Sequence, residues 1–136
     1  MKPPPLANLA LVALGGMIGA LLRVSLAVAV PNPPAGFPWT TFLENIVGAY
    51  LLGLLLAVLA RRFPDSDGAR LLLGTGLLGS FTTFSNYSVE IVQLATDSPA
   101  VALAYALASM VVALAAAMAG LASLGRGAAP AREVTT

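Results

Sequence analysis

The chain of 136 residues contains no cysteine and no histidine, and only 10% of it is charged. Without cysteine there is no disulfide framework and no thiolate chemistry. Without histidine the commonest general base, proton relay and metal ligand are missing. A soluble domain usually carries about 25% charged residues. Here 58% of the residues are hydrophobic, more apolar surface than a soluble fold of this size can hide. Composition therefore assigns an integral membrane protein of one domain. The net charge of +1 points to no nucleic-acid partner. No nucleophile stands with a base, no carboxylate pair shares a face and no phosphate-binding loop is present, so no enzyme signature is found.

What is present is hydrophobic length. Four segments suit spans of roughly 20 residues, at about 6–30, 41–60, 70–96 and 100–124. Residues 1–5, Met1-Lys2-Pro3-Pro4-Pro5, form a short N-terminal tail. The apolar run after it exceeds a signal-peptide core and reads as a retained first span. Residues 125–136 read as a disordered C-terminal tail. For the second span, Pro38, the headgroup-type Trp39 and a capping box at Thr41 and Glu44 mark the start. Asp97-Ser98-Pro99 turns the chain between the last two spans.

The third span carries a polar interruption, Gly79-Ser80-Phe81-Thr82-Thr83-Phe84-Ser85-Asn86-Tyr87. Broken, hydroxyl-rich backbone is tolerated at membrane depth only where it is buried in protein or lines a polar path. Either this is a kinked helix with no ligand, or the carbonyls freed by a break hold a cation. Thr41 and Asn45 share one helical face, as do Tyr105 and Ser109. With Thr82, Thr83, Ser85 and Asn86 they supply neutral hydrogen-bond donors, which suit a small hydrated anion without trapping it by a full charge. Phe84 and Tyr87 lie three apart, and their electropositive ring edges can face an anion or simply pack in the core. Glu44 and Glu90 are acidic residues near or within spans, a functional flag by default. Glu44 has a local reading as a cap; Glu90 falls near the headgroups, with Arg23 as a partner or a vestibule charge.

Glycines such as Gly15, Gly19, Gly48, Gly53, Gly74 and Gly76 allow close helix approach in lipid. Four short helices enclose little interior, so an oligomer is expected. Four spans put both termini on one side. Lys2, Arg61, Arg62, Arg70, Arg126 and Arg132 share that side and only Arg23 approaches the other, so the positive-inside rule places both termini in the cytoplasm.

The motifs Gly15-Gly16-x-x-Gly19-Ala20-x-x-Arg23, Asn45-x-x-Gly48-x-x-Leu51-x-Gly53 and Thr82-Thr83-Phe84-Ser85 followed by Glu90 run in order along nearly the whole four-span region. On these the chain resembles the small fluoride-channel family of the Fluc or CrcB type. The resemblance implies a fluoride-specific channel in the cell membrane that exports toxic fluoride passively. It further implies an antiparallel, dual-topology dimer of all-α four-helix subunits with a structural Na+ at its centre. By motif position, carbonyls of Gly79 and Thr82 would hold the sodium. Phe84 and Tyr87 would be the pore rings, with Thr83 and Ser85 beside them and Asn45 in the polar track. Tyr105, Ser109 and Thr41 would extend that track, and Arg23 would be the vestibule arginine.

The chain departs from the family pattern at Ser80, usually Gly, at Tyr87, usually Phe, and at Glu44, usually apolar. The six-to-one Lys/Arg split also favours one insertion orientation, so the second subunit is either another copy or an oppositely oriented paralogue. The rival readings are a small four-helix multidrug or cation exporter using Glu44, and a non-transporting membrane scaffold.

Overall fold

A computed structural model describes residues 5–33 and 36–124. The C-terminal tail and all of the N-terminal tail but Pro5 lie outside the described residues, as do Pro34 and Ala35 of the first loop.

Every regular element among the described residues is helical. Helix α1 spans Pro5–Ala29 and α2 spans Trp39–Arg62. A helical run over residues 67–81, here α3, consists of Asp67–Ala69, Arg70–Leu78 and Gly79–Phe81. Helix α4 spans Phe84–Asp97 and α5 spans Pro99–Ala122. The apolar part of α1, together with α2 and α5, gives three helices long and apolar enough to cross a membrane.

Glycine decides how these helices pair. On α1, a Cβ at Gly15 or Gly19 would run into the carbonyls of Leu72 and Leu77 on α3. In return, one at Gly76 would meet the Val12 carbonyl and the Gly15 Cα. Helices α2 and α5 meet in the same way, Gly53 against the Ala117 carbonyl and Gly120 against the Tyr50 carbonyl. Two helix pairs thus touch backbone to backbone, the close approach that lets helices associate where hydrocarbon offers no hydrophobic drive.

Within α3, Arg70–Leu78 is wound wider than an α-helix over nine residues. The Gly79 amide reaches back to the Gly74 carbonyl, five residues earlier. Such π-type winding is rare and shifts the faces of a helix relative to regular spacing.

The helix start at Trp39 is capped differently from the sequence expectation. The Thr41–Glu44 capping box does not form. Thr40 N–H donates instead to Asn32 Oδ1 (2.8 Å) across the loop, and the Thr40 hydroxyl donates to the Val30 carbonyl (2.6 Å). An asparagine from outside the helix takes the orphan amide that a local cap would serve. Thr41 and Glu44 are thereby released from local roles.

Candidate functional site

Between α3 and α4 the chain runs extended for two residues, Thr82 at φ −72°, ψ 153° and Thr83 at φ −140°, ψ 121°. The Thr83 hydroxyl accepts from the Asn86 amide (3.1 Å) and so caps α4. This is the ordinary way a threonine opens a helix. Ser85 Oγ lies 3.2 Å from the same hydroxyl.

Asn45 on α2 holds this link from outside. Its Oδ1 accepts from the Thr83 amide (2.8 Å) and its Nδ2 donates to the Thr83 carbonyl (3.0 Å). Both backbone groups of Thr83 are satisfied by one side chain, which buried backbone polar groups require. The amides that would serve the Gly79 and Thr82 carbonyls in a continuous helix are those of Thr83 and Asn86. They are engaged by Asn45 Oδ1 and Thr83 Oγ1. Two neighbouring carbonyl oxygens are thereby left without their helical donors. Gly79 also has room for a side chain, since a Cβ there would meet only the Gly74 carbonyl at 3.6 Å. Arg23 reaches the same region from α1, where its Nε donates to the Ser80 carbonyl (3.1 Å). It does not pair with Glu90.

Glu90 instead lies at the centre of a polar cluster joining three helices and a loop. Its Oε1 accepts from the Thr41 hydroxyl (2.6 Å) and Asn32 Nδ2 (2.8 Å), and its Oε2 accepts from the Tyr105 hydroxyl (2.6 Å). Short bonds of this kind to a carboxylate are the strong, charge-assisted ones. Sequence reasoning missed Asn32. Its only signal was an amide side chain between two prolines, Pro31 and Pro33.

Rings line up along the site. Phe84 and Tyr87 have centroids 5.6 Å apart, Tyr87 and Tyr105 5.4 Å, and Tyr105 and Phe37 meet edge-on at 5.2 Å. Tyr87 is buried and its hydroxyl donates to the Ala106 carbonyl (2.9 Å) on α5. Phe84 is 76% exposed. Asn45, Thr83, Phe84, Tyr87, Ser109 and Met110 border an open groove of about 350 Å³. Thr41 and Tyr105 are placed with Glu90, outside that border. Ser109 is buried, one turn beyond Tyr105, and its hydroxyl has no hydrogen-bond partner among the described residues.

Glu44 is 2% exposed and neither carboxyl oxygen has a hydrogen-bond partner. It is not among the residues that border the groove. Arg23 and Glu90 are the charged groups that act on it. Among the described residues no group of three or more His, Cys, Asp or Glu side chains is placed to hold a metal ion.

Apolar helices joined through glycine, with a polar, helix-broken seam beside an uncovered groove, define a multi-pass membrane protein. Residues 10–121 match the family described as CrcB-like protein, Camphor Resistance (CrcB), and the chain belongs to that family. It is similar to a fluoride-specific ion channel FluC of Agrobacterium fabrum, 49% identical over 126 residues, covering 88% of this chain and 96% of that protein. A fluoride-specific ion channel FluC of Rhizobium leguminosarum bv. trifolii is 45% identical over 116 residues, covering 82% of this chain and 91% of its own length. A FluC 2 of Streptomyces avermitilis is 45% identical over 102 residues, covering 74% of this chain and 65% of that protein.

Proposed function

We propose that this chain is the subunit of a fluoride-specific ion channel that lets cytoplasmic fluoride leave passively and so limits fluoride toxicity. The observation that carries the reading is the seam at Thr83. There, neutral donors and an uncovered phenylalanine ring flank a groove, in a chain whose relatives are named fluoride-specific channels. Fluoride moving along such a path exchanges water for hydroxyl, amide and ring-edge contacts, none of which binds it as tightly as a full positive charge would.

In this reading α3 and α4 together form one broken span, giving four spans in all. Two subunits meet antiparallel over the groove, and both termini of this chain face the cytoplasm at the cell membrane. Phe84 and Tyr87 are the pore rings, with Asn45, Thr83 and Ser85 beside them. Thr41, Tyr105 and Ser109 continue the polar track, and Arg23 stands at the vestibule. The Tyr87 hydroxyl is engaged by the Ala106 carbonyl, which leaves the ring edge free for the anion. The donor-free carbonyls of Gly79 and Thr82 suit a monovalent cation such as Na+, because uncharged oxygens at a helix break are the usual ligands for one. A bound Na+ would supply a fixed positive charge joining the two subunits.

The test is anion efflux from liposomes holding the purified protein, fluoride against chloride. Fluoride efflux without chloride efflux supports the reading, and equal efflux of both anions overturns it. Activity of the purified chain alone identifies a homodimer. Activity only with an adjacent paralogue identifies a heterodimer.

The burial of Glu44 favours a second reading, a small cation exporter that exchanges protons at this carboxylate. Uptake of a cationic dye that Glu44→Gln abolishes, with no fluoride flux, would select it.

A further inference from the structure

Glu44 is a buried acidic group without a hydrogen-bond partner, and the fluoride path does not use it. It is 98% buried and both of its oxygens are without partners. A charged carboxylate in a dry interior without a hydrogen-bonded partner is strongly disfavoured unless a proton or a counter-charge neutralises it. The counter-charge at hand is Arg23, but its Nε is directed to the Ser80 carbonyl, and no ion pair to Glu44 forms. Glu90 adds a like charge from α4. Tyr105 on α5 is committed to Glu90. The part of α3 between Leu71 and Phe81 has no ionisable side chain, and on α2 the only other one before Arg61 is Tyr50, whose hydroxyl lies 3.3 Å from Ser123 Oγ.

Position makes this carboxyl consequential. It follows Thr41 by three residues and immediately precedes Asn45, the side chain that fixes the Thr83 link beside the groove. An unscreened negative charge in low dielectric acts over several ångströms. It opposes an anion passing Asn45, and it draws Arg23 away from the Ser80 carbonyl. A proton on Glu44 removes both effects.

We propose that Glu44 is a proton-binding site that links anion passage through this chain to acidity, conducting when protonated and restricted when charged. The proposal rests on the fluoride-channel reading. It also fits the export task, because acid is the condition that drives neutral HF into a cell.

The experiment measures fluoride efflux from vesicles at a series of pH values on both sides of neutrality. Protein-free vesicles provide the HF leak to subtract. Wild type, Glu44→Gln and Glu44→Asp are compared, each first shown to be monodisperse. Wild-type flux is expected to fall with rising pH, by up to roughly tenfold per unit for a one-proton linkage. Glu44→Gln should lose that fall and stay near the acid-limit rate, and Glu44→Asp should retain it. Matching profiles for wild type and Glu44→Gln would overturn the proposal while leaving the channel intact. Absence of fluoride flux from wild type at every pH would overturn the channel reading itself. If Glu44→Gln is not monodisperse, Glu44→Met takes its place: a fall with pH unchanged from wild type in that variant would overturn the proposal.

Discussion

Asn45 and Thr83, 38 residues apart in the chain, exchange two hydrogen bonds, amide to Oδ1 at 2.8 Å and Nδ2 to carbonyl at 3.0 Å. One side chain therefore replaces a full helical turn of backbone bonding at the break between α3 and α4. Asn45→Ala leaves a donor and an acceptor of buried backbone unpaired, each costing about 1–3 kcal/mol. The expected result is a clear drop in unfolding temperature in detergent together with loss of fluoride flux. Asn45→Asp keeps the acceptor but loses the donor and adds a charge, and should be no better.

Phe84 offers the opposite case. Its ring is 76% exposed, so Phe84→Ala removes little packing within the subunit. Flux should be abolished while the thermal stability of the monomeric unit is unchanged. A variant with normal flux would remove the ring-edge mechanism.

Tyr87 separates ring from hydroxyl. Tyr87→Phe deletes the bond to the Ala106 carbonyl and should cost about 1 kcal/mol of stability. Fluoride flux should stay within a few-fold of wild type, because the ring edge remains. A large loss of flux would give the hydroxyl a direct part in passage.

Glycine substitutions should divide by location. Gly53→Ala and Gly120→Ala push a Cβ into a carbonyl of the facing helix and should destabilise by roughly 1–3 kcal/mol, as overpacking does. Gly79→Ala meets only open space and the Gly74 carbonyl and should leave the subunit's melting temperature unchanged. Thermal unfolding of the three variants side by side checks this.

Replacing Na+ by a large organic cation throughout purification and assay should lower fluoride flux and weaken subunit association, measured by efflux and by light scattering. Unaltered values in both would remove the carbonyl site as a sodium site.

The apolar helices were legible in hydropathy alone, and the polar stretch from Gly79 to Tyr87 was legible as an anomaly within them. The pairing of that stretch with Asn45 was not, because it depends on how α2 lies against the link. The Thr41–Glu44 pattern misled for a physical reason. Local capping competes with tertiary partners, and here Asn32 caps α2 while Glu90 claims the Thr41 hydroxyl. Glu90 looked peripheral near the end of its segment; only the packing of α4 on α5 brings Tyr105 onto it. The wide winding over Arg70–Leu78 leaves no periodic trace in a run of leucines and glycines.

Among the described residues the largest fully buried side chains are a tyrosine and a glutamate, while leucines such as Leu6, Leu21 and Leu103 stand largely exposed. Glycine contacts and polar bonds hold the inside, and hydrocarbon covers the outside. Loosening such a molecule within a bilayer uncovers little apolar surface to water. The heat-capacity increase that curves the stability of soluble proteins should therefore be small. Its stability should decline almost linearly with temperature and show no optimum near room temperature.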